Sequence, residues 1–289
     1  MNTPQLSIIT PVYNGQKYMA QFLQRVIDQN CPSMEHIIVD GQSSDDTVKI
    51  IKSFADKYSH IRWMSEKDRG VGDALNKGLA MARGKIIGVL ALDDCYQPGA
   101  LNEILKSFQS LSEPSFLMGN CNVWDEKGEL VSIIKPKGLS PLKILFGYQY
   151  SNPAAYFYHK SLHQKVGLYG IEEPIDLDFL LRVYSLVNVH YVDRILGDFR
   201  LTPDSITLQS DVDGTQDANV NKIIQRYLQI LPVGKRIVYR TSYRAVATFK
   251  RTKRTIRYFF RRFLHYAQNP KDIERVLKKI LNLARNNEI

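Results

Sequence analysis

The N-terminal part of the chain alternates runs of apolar residues with segments that are apolar on one face only. The apolar runs predict four buried strands, at 6–10, 36–39, 61–64 and 86–92. Apolar residues at helical spacing predict a helix after each of the first three strands, at 16–29, 44–54 and 71–79. Strands that alternate with helices of this length indicate an α/β fold, with a mostly parallel, Rossmann-like sheet that is covered by helices on both faces.

The alternation weakens after about Gly119, and beyond Val212 the sequence becomes helical and basic. The chain is long enough for one large domain with an appendage. The boundaries that we predict are a first domain over 1–210, made of the halves 1–118 and 119–210, and a basic helical extension over 211–289.

The charge of the chain is unevenly distributed. Its 39 Lys and Arg and 29 Asp and Glu give a net charge of +10. The segment from Ala218 to Lys271 contains fourteen of the basic residues and no acid, so the rest of the chain sums to −4 (10 − 14). A mildly acidic body is therefore joined to a strongly basic tail.

Two classes of protein are disfavoured by the composition. No apolar run reaches the ~18 residues that suggest a membrane span, and the N-terminus lacks the pattern of a secretory signal, so we expect a cytoplasmic protein. Cys31, Cys95 and Cys121 are odd in number and lack metal-type spacing, which indicates neither a disulfide framework nor a zinc site.

Polar residues follow three of the predicted strands. Thr10 and Pro11 lead into Tyr13 and Asn14, the second strand runs into Asp40, and the fourth runs into the pair Asp93-Asp94. In open α/β sheets ligands bind beyond the carboxyl ends of the strands, so this edge is the candidate active site.

The residues at this edge favour a metal-bridged ligand. The Gly-rich turn of a dinucleotide fold and the P-loop are both missing from the sequence. Carboxylates repel phosphates unless a cation intervenes, and Mg²⁺ is commonly held by one or two carboxylates plus substrate phosphates. We therefore expect a nucleotide diphosphate bound through a metal, with the remaining acids accepting hydrogen bonds from base and ribose.

Four motifs, in this order, closely resemble the family 2 glycosyltransferases with the GT-A fold. They are SIITPVYN at 7–14, IIVDGQSSDDT at 37–47, SEKDRGVGDALNKG at 65–78 and LDD at 92–94. The resemblance covers roughly residues 5 to 205. It implies that residues 1–118 bind the nucleotide sugar and that residues 119–210 bind the acceptor.

The resemblance also implies roles for single residues. The residues that would contact the nucleotide sugar are Thr10, Pro11, Tyr13, Asn14, Asp40, Asp68, Asp73, Asn76 and Asp93. Asp40 would read the base, and Asp93 and Asp94 match the acidic metal motif of the family. Because Ala91 stands where many relatives carry an acid or Asn, the division of work between Asp93 and Asp94 stays open. Asp73 and Asn76, one turn apart on a helix, could equally be solvated.

A later acidic segment resembles the one that carries the catalytic base in this family. Aligning on Arg182 makes Asp176 the base and Asp178 a supporting residue, although Asp176 could instead be a helix N-terminal charge. The segment 151–157 stands where many relatives have a His-Gln pair, so the resemblance leaves the acceptor contacts open.

The expected function is that of an inverting, metal-dependent hexosyltransferase. It would use Mn²⁺ or Mg²⁺ to move a sugar from a nucleotide-diphosphate sugar, preferably a UDP-sugar, to a hydroxyl of a glycan or lipid-linked acceptor in surface polysaccharide or glycolipid synthesis. A sugar nucleotidyltransferase would need a Gly-rich basic loop after the first strand, which is missing. A non-enzymatic nucleotide-binding or nucleic-acid-binding protein would not need Asp94 and Asp176 together.

The basic tail suggests a surface partner. Lys250, Arg254, Arg257 and Arg261 fall on one helical face, and aromatic and aliphatic residues gather on another. Such a helix suits the anionic inner face of the cell membrane, to which we expect peripheral attachment. We do not expect nucleic acid as the partner, although interleaved aromatics would suit it. A tail that only packs on the catalytic domain is the third interpretation.

Overall fold

The computed structural model describes residues 3–137, 140–141, 144, 152–171, 174–201 and 215–241 of the chain. The chain forms two compact units, residues 1–230 and residues 231–289. The domain boundary at residue 210 stays a prediction.

The strands of the first unit are β1 Leu6–Val12, β2 Met34–Asp40, β3 Ile61–Ser65, β4 Ile86–Val89, β5 Cys95–Tyr96, β6 Phe116–Trp124, β7 Leu130–Ile134, β8 Tyr156–His159 and β9 Val189–Arg200. Its helices are α1 Gln16–Ile27, α2 Thr47–Ala55, α3 Val71–Met81, α4 Ala100–Phe108, α5 His163–Val166, α6 Ile175–Leu186 and α7 Thr215–Ile230.

The strands form one sheet in the order β3-β2-β1-β4-β8-β6-β9-β5, and β7 pairs with β6. Pairing is parallel among β3, β2, β1 and β4, as the alternating pattern predicts. Strands β8 and β6 then add in antiparallel fashion, and β9 pairs parallel to β6. The α/β fold is confirmed: the first four strands form an all-parallel half, and the other half combines the parallel β6–β9 pair with antiparallel pairs.

Helices cover both faces of the parallel half. On one face Ile8 belongs to the same buried cluster as Phe22 of α1 and Leu101 of α4. On the other face α3 approaches so closely that a Cβ at Gly78 would lie 2.3 Å from the Ile9 side chain. Because adjacent residues of a strand point to opposite faces, Ile8 and Ile9 give β1 an apolar side chain on each face.

Strand β4 ends earlier than its apolar run predicts. The Leu90 N–H donates to the Ile9 carbonyl at 3.1 Å, and a turn follows in which the Asp94 N–H donates to the Ala91 carbonyl at 3.2 Å. The predicted strand to Leu92 is therefore wrong in its last residues, because the chain turns there. This turn carries Asp93 and Asp94.

In the second unit, residues 233–241 are helical. The predicted basic face from Lys250 to Arg261 lies outside the described residues. Within the described ranges, no helix is long and apolar enough to cross a membrane.

Candidate active site

The loops after β1 and β2 are tied together by hydrogen bonds at the carboxyl edge of the sheet. The backbone N–H of Asn14 donates to Ser43 Oγ at 2.7 Å, and Asn14 Oδ1 accepts from the Ser44 N–H at 2.9 Å. The Gly15 N–H donates to Thr47 Oγ1 at 2.8 Å. Asn14 adopts a left-handed φ of 50°, a conformation that Asn tolerates better than most residues. The two sequence motifs thus build one platform.

Asp40 is fully buried at the end of β2. Its carboxylate accepts from the Ser43 N–H at 3.0 Å, from Ser65 Oγ at 2.6 Å and from Ser43 Oγ. Thr10 is also fully buried, and its hydroxyl contacts His36 Nε2 at 3.0 Å. Burial, together with the charge of the nearby His60, lowers the pKa of His36 to about 3, which keeps that ring neutral. Both side chains are therefore committed to shaping the loops and the sheet.

Tyr13, Gly41 and Asp68 meet at the surface of this platform. Tyr13 is 66% exposed, while Asp68 and Pro11 are half-buried. A Cβ at Gly41 would lie 2.7 Å from Asp68 Oδ2 and 3.5 Å from the Tyr13 ring. A side chain at position 41 would press on the Asp68 carboxylate, so the glycine lets the carboxylate lie beside the exposed ring.

The two polar residues of α3 have protein partners. Asp73 pairs with Arg69 at 2.8 Å, and this hydrogen bond to the guanidinium lowers the pKa of Asp73. Asn76 donates to the Tyr169 carbonyl and accepts from the Tyr169 N–H, each at 3.0 Å. The amide of Asn76 therefore holds the segment around Tyr169, a role that the sequence analysis did not assign to it.

Asp94 is a buried acid at this edge whose charged form is disfavoured. Its side chain is 2% exposed, and Oδ1 accepts a hydrogen bond from the Arg200 N–H at 3.2 Å. Burial raises the pKa of Asp94 well above its usual range, and the charge of Asp93 raises it further. A hydrogen bond from Asn152 opposes the shift without cancelling it.

Asp176 lies in the first turn of α6, and its charge adds to the effects that raise the pKa of Asp94. The Tyr156 hydroxyl donates to Asp176 Oδ1 at 2.7 Å. Asp178 instead binds the guanidinium of Arg182 at 2.7 Å, and Arg182 also donates to the Val166 carbonyl. The two acids of this motif are thus held in different ways.

A buried aromatic cluster supports Tyr156. Because the Gly167 carbonyl can only accept, His163 Nδ1 donates to it at 2.8 Å. Burial lowers the pKa of His163, so its neutral Nε2 accepts from Tyr158 at 3.1 Å. The Tyr158 oxygen in turn accepts from the Tyr169 hydroxyl at 2.6 Å. The other rings of the cluster are Phe116 and Phe179.

The sequence analysis missed three contributors to the site: Asn152, Tyr156 and Arg200. Asn152 and Tyr156 lie in the segment 151–157, for which the sequence analysis left the acceptor contacts open. Asn152 Oδ1 caps the following turn by accepting from the Ala154 N–H at 2.8 Å, and an Asn-Pro pair is a local signal for such a turn. No local signal marks Arg200, which contributes its backbone N–H.

The residues fit a divalent cation held jointly with a ligand. Among the described residues, no group of three or more His, Cys, Asp and Glu side chains could hold a metal ion. Asp93 and Asp94 provide two carboxylates, one of them buried beside like charge, and a cation would relieve that repulsion. Mg²⁺ sites commonly combine one or two carboxylates with substrate phosphates.

The sequence of the chain is similar to those of known glycosyltransferases. Residues 7–125 match the family model described as glycosyl transferase family 2. A chondroitin synthase from Escherichia coli is 33% identical over 240 residues, which cover 80% of this chain and 34% of that protein. The chain spans about a third of the length of the first curated relatives that it matches.

Two solved structures share the fold. TarS 1–349 from S. aureus in complex with UDP-GlcNAc has a TM-score of 0.59 and 15% identity, covering 98% of this chain and 92% of that one. The mannosyltransferase PcManGT from Pyrobaculum calidifontis, in complex with GDP-Man and Mn²⁺, has a TM-score of 0.58 and 14% identity, covering 78% and 65%.

The match begins at the first strand and ends just beyond β6, so it includes the loops of the platform and the turn of Asp93 and Asp94. Residues 7–125 therefore form a glycosyl transferase family 2 domain, and the chain has the GT-A fold, as its sequence motifs predicted.

Proposed function

We propose that the protein is an inverting, metal-dependent hexosyltransferase that moves a sugar from a nucleotide-diphosphate sugar to an acceptor hydroxyl. The observation that carries this proposal is the burial of Asp94 beside Asp93, with Asp176 close enough to perturb its pKa. A protein that only binds a nucleotide would not need Asp93, Asp94 and Asp176 together, since their mutual repulsion disfavours the charged form of Asp94.

The donor is proposed to lie on the platform of the first two loops. Tyr13 and Asp68 flank Gly41, where an exposed ring can stack on a base and a carboxylate can accept from it. We propose a UDP-sugar, a choice that the fold shared with the UDP-GlcNAc complex of TarS supports. Asp40 would act here through the loop that it fixes.

Asp93 and Asp94 are the residues that would hold the metal. When bound there, Mn²⁺ or Mg²⁺ supplies charge neutralisation for the departing diphosphate. A neighbour in fold, PcManGT, is in complex with Mn²⁺. The backbone N–H of Arg200 and the amide of Asn152 orient the Asp94 carboxylate.

Asp176 is proposed as the general base. An acceptor hydroxyl is a weak nucleophile at neutral pH, so a carboxylate within hydrogen-bond reach must take its proton during attack. Tyr156 fixes one oxygen of Asp176. Asp178 is ion-paired with Arg182 and therefore suits a supporting role. Direct attack by the acceptor displaces the diphosphate and inverts the anomeric centre.

The acceptor is proposed to be a glycan or a lipid-linked sugar of a surface polysaccharide or glycolipid. The likeness to a protein named chondroitin synthase supports a glycan acceptor. We also propose peripheral attachment to the inner face of the membrane, supported by the fourteen Lys and Arg between Ala218 and Lys271.

Turnover of sugar nucleotides tests the proposed activity directly. UDP-sugars and GDP-sugars are incubated with the protein in the presence of Mn²⁺, Mg²⁺ or EDTA, and release of the nucleoside diphosphate is measured. We expect release with at least one donor and its loss in EDTA. Release of a nucleoside triphosphate from sugar nucleotide and pyrophosphate would instead indicate the nucleotidyltransferase.

Asp94→Asn separates the metal site from folding. Because the folded pKa of Asp94 is raised, stability is lost as pH rises through that pKa, and Asn removes this loss. At pH 8 without metal, we expect the variant to unfold at the same or a higher temperature than the wild type. Mn²⁺ should then raise the unfolding temperature of the wild type only, by several degrees at about 100 times its Kd.

Transfer by Asp94→Asn should be nearly abolished. The control is Asp56→Asn, an exposed residue just after α2, which should change neither stability nor turnover. Equal stabilisation of wild type and Asp94→Asn by Mn²⁺ would contradict the metal assignment.

Asp176→Asn separates chemistry from donor binding. We expect transfer to fall by about 10² to 10⁴, as when a positioned base is lost, while donor affinity stays within about twofold. Asp178→Asn is the matched control on the same helix. It should unfold at a lower temperature but keep most of its turnover, because Arg182 loses its carboxylate partner. A dead Asp178→Asn beside an active Asp176→Asn would reverse the assignment.

Vesicle co-sedimentation tests the membrane proposal. The triple variant Arg254→Glu, Arg257→Glu and Arg261→Glu should release the protein from anionic vesicles, because each basic residue near such a surface contributes about 1 kcal/mol. Binding by the wild type should weaken at high salt. Equal binding to neutral vesicles would count against attachment by charge.

A further inference from the structure

A cavity of about 540 Å³ opens beyond the ends of β6 and β9. Its walls are Tyr18 of α1, Trp124, Asp198, Arg200 and the β6–β7 turn at 125–128. A volume of this size lies within the range of small-ligand pockets, about 300–1,000 Å³. None of these residues has been assigned a role by its side chain above.

The register of the sheet brings the wall residues to one face. Trp124 pairs with Arg200 and Asn122 pairs with Asp198 across the β6–β9 ladder. Since residues two apart on a strand share a face, Trp124, Asp198 and Arg200 point to the same side. Tyr18 lies in the first turn of α1, and the Lys17 ammonium covers one face of its ring at 4.7 Å.

The walls of the cavity are fixed by hydrogen bonds. Asp125 accepts from the backbone N–H groups of Lys127 at 2.9 Å and Glu129 at 2.8 Å, which holds the turn. Asp198 accepts from Asn122 Nδ2 at 2.8 Å. A preformed wall reduces the ordering cost of binding a ligand.

The cavity adjoins the metal-binding turn through Arg200. The backbone N–H of Arg200 donates to Asp94, while its exposed side chain lines the cavity. No hydrogen bond joins the Arg200 guanidinium to another residue in the described part of the chain. Its donors are available to a ligand that reaches toward Asp94.

The chemistry of the walls selects the class of ligand. The lining contains three acids (Asp125, Glu126 and Asp198) and two bases (Lys127 and Arg200). It therefore has no excess of positive charge with which to bind a phosphate. The lining mixes charged side chains with the rings of Tyr18 and Trp124, so it does not form an apolar channel for a lipid chain. A sugar carries hydroxyls that both donate and accept, and it has apolar C–H faces that can lie on aromatic rings.

We propose that this cavity binds an uncharged saccharide unit of the acceptor, with Tyr18 and Trp124 as contact surfaces and Asp198 and Arg200 as hydrogen-bonding groups. Asp176 does not line the cavity, so the unit held here is not the one that receives the new sugar. This inference rests on the proposed transferase function and extends it to a remote acceptor subsite.

Tryptophan fluorescence gives a readout of binding that does not depend on turnover. The chain has 2 Trp, and Trp63→Phe leaves Trp124 as the single reporter, in the cavity wall. The full-length Trp63→Phe protein is titrated with neutral oligosaccharides (N-acetylchitotriose, maltotriose, cellotriose and lactose) and, separately, with inorganic phosphate. We expect a saturable change with at least one saccharide and none with phosphate.

Two further variants test the walls in the same Trp63→Phe background. Arg200→Ala and Tyr18→Ala should each weaken the saccharide response about tenfold, the loss expected for one charged hydrogen bond or one aromatic contact. Arg194→Ala, an exposed arginine on the same strand that pairs with Glu103, is the control and should bind normally. Because Arg200 is exposed, its truncation leaves the fold intact.

The outcomes separate this inference from the proposed function. No saturable saccharide response, a response to phosphate alone, or unchanged binding by both wall variants would overturn the cavity assignment. If wild-type protein releases no nucleotide from any donor, the transferase proposal fails, and the titration still reports on the cavity. If transfer occurs but Arg200→Ala and Tyr18→Ala leave the acceptor KM unchanged, only the cavity assignment fails.

Discussion

The burial of the Asp94 carboxylate is the interaction on which the rest of the site depends. A carboxylate with 2% exposure loses most of its hydration, and Asp93 and Asp176 add like charge to that cost. The Arg200 N–H and the Asn152 amide recover part of it, yet the pKa remains well above its usual range. The donors of the protein leave the charged form of Asp94 poorly compensated, and a cation would stabilise that form.

The two halves of the sheet contribute different parts of the site around Asp94. The parallel half brings three loops to one edge, because parallel strands all end there. The mixed half supplies the groups that surround Asp94: the segment leading into β8 contributes Asn152, and β9 contributes the Arg200 N–H. Antiparallel pairing of β8 with β4 fixes the distance between the halves. The second half thus supplies hydrogen-bond donors to Asp94, which the turn after β4 of the first half carries.

The sequence predicted the parallel half well because its signals are local. Apolar runs mark β1, β2 and β3, and each motif directly follows its strand, so the edge position of Asp40 and of the Asp93-Asp94 turn follows from the pattern. The partners of these side chains could not be predicted. The amide of Asn76 bonds a residue 93 positions away, and Asp94 bonds one 106 positions away. Such pairings depend on how the mixed half folds back, which periodicity does not encode.

The hydrogen-bond partners of each acid separate acids that shape the protein from acids that serve a ligand. The carboxylate of Asp40 accepts three hydrogen bonds, and that of Asp178 is neutralised by Arg182, so each has little left to offer a substrate. The donors to Asp94 do not offset its burial, so a cation would stabilise its charged form. A motif in the sequence cannot distinguish these cases, since all are aspartates at element ends. Their different roles follow from the number and charge of the donors that the fold brings to each one.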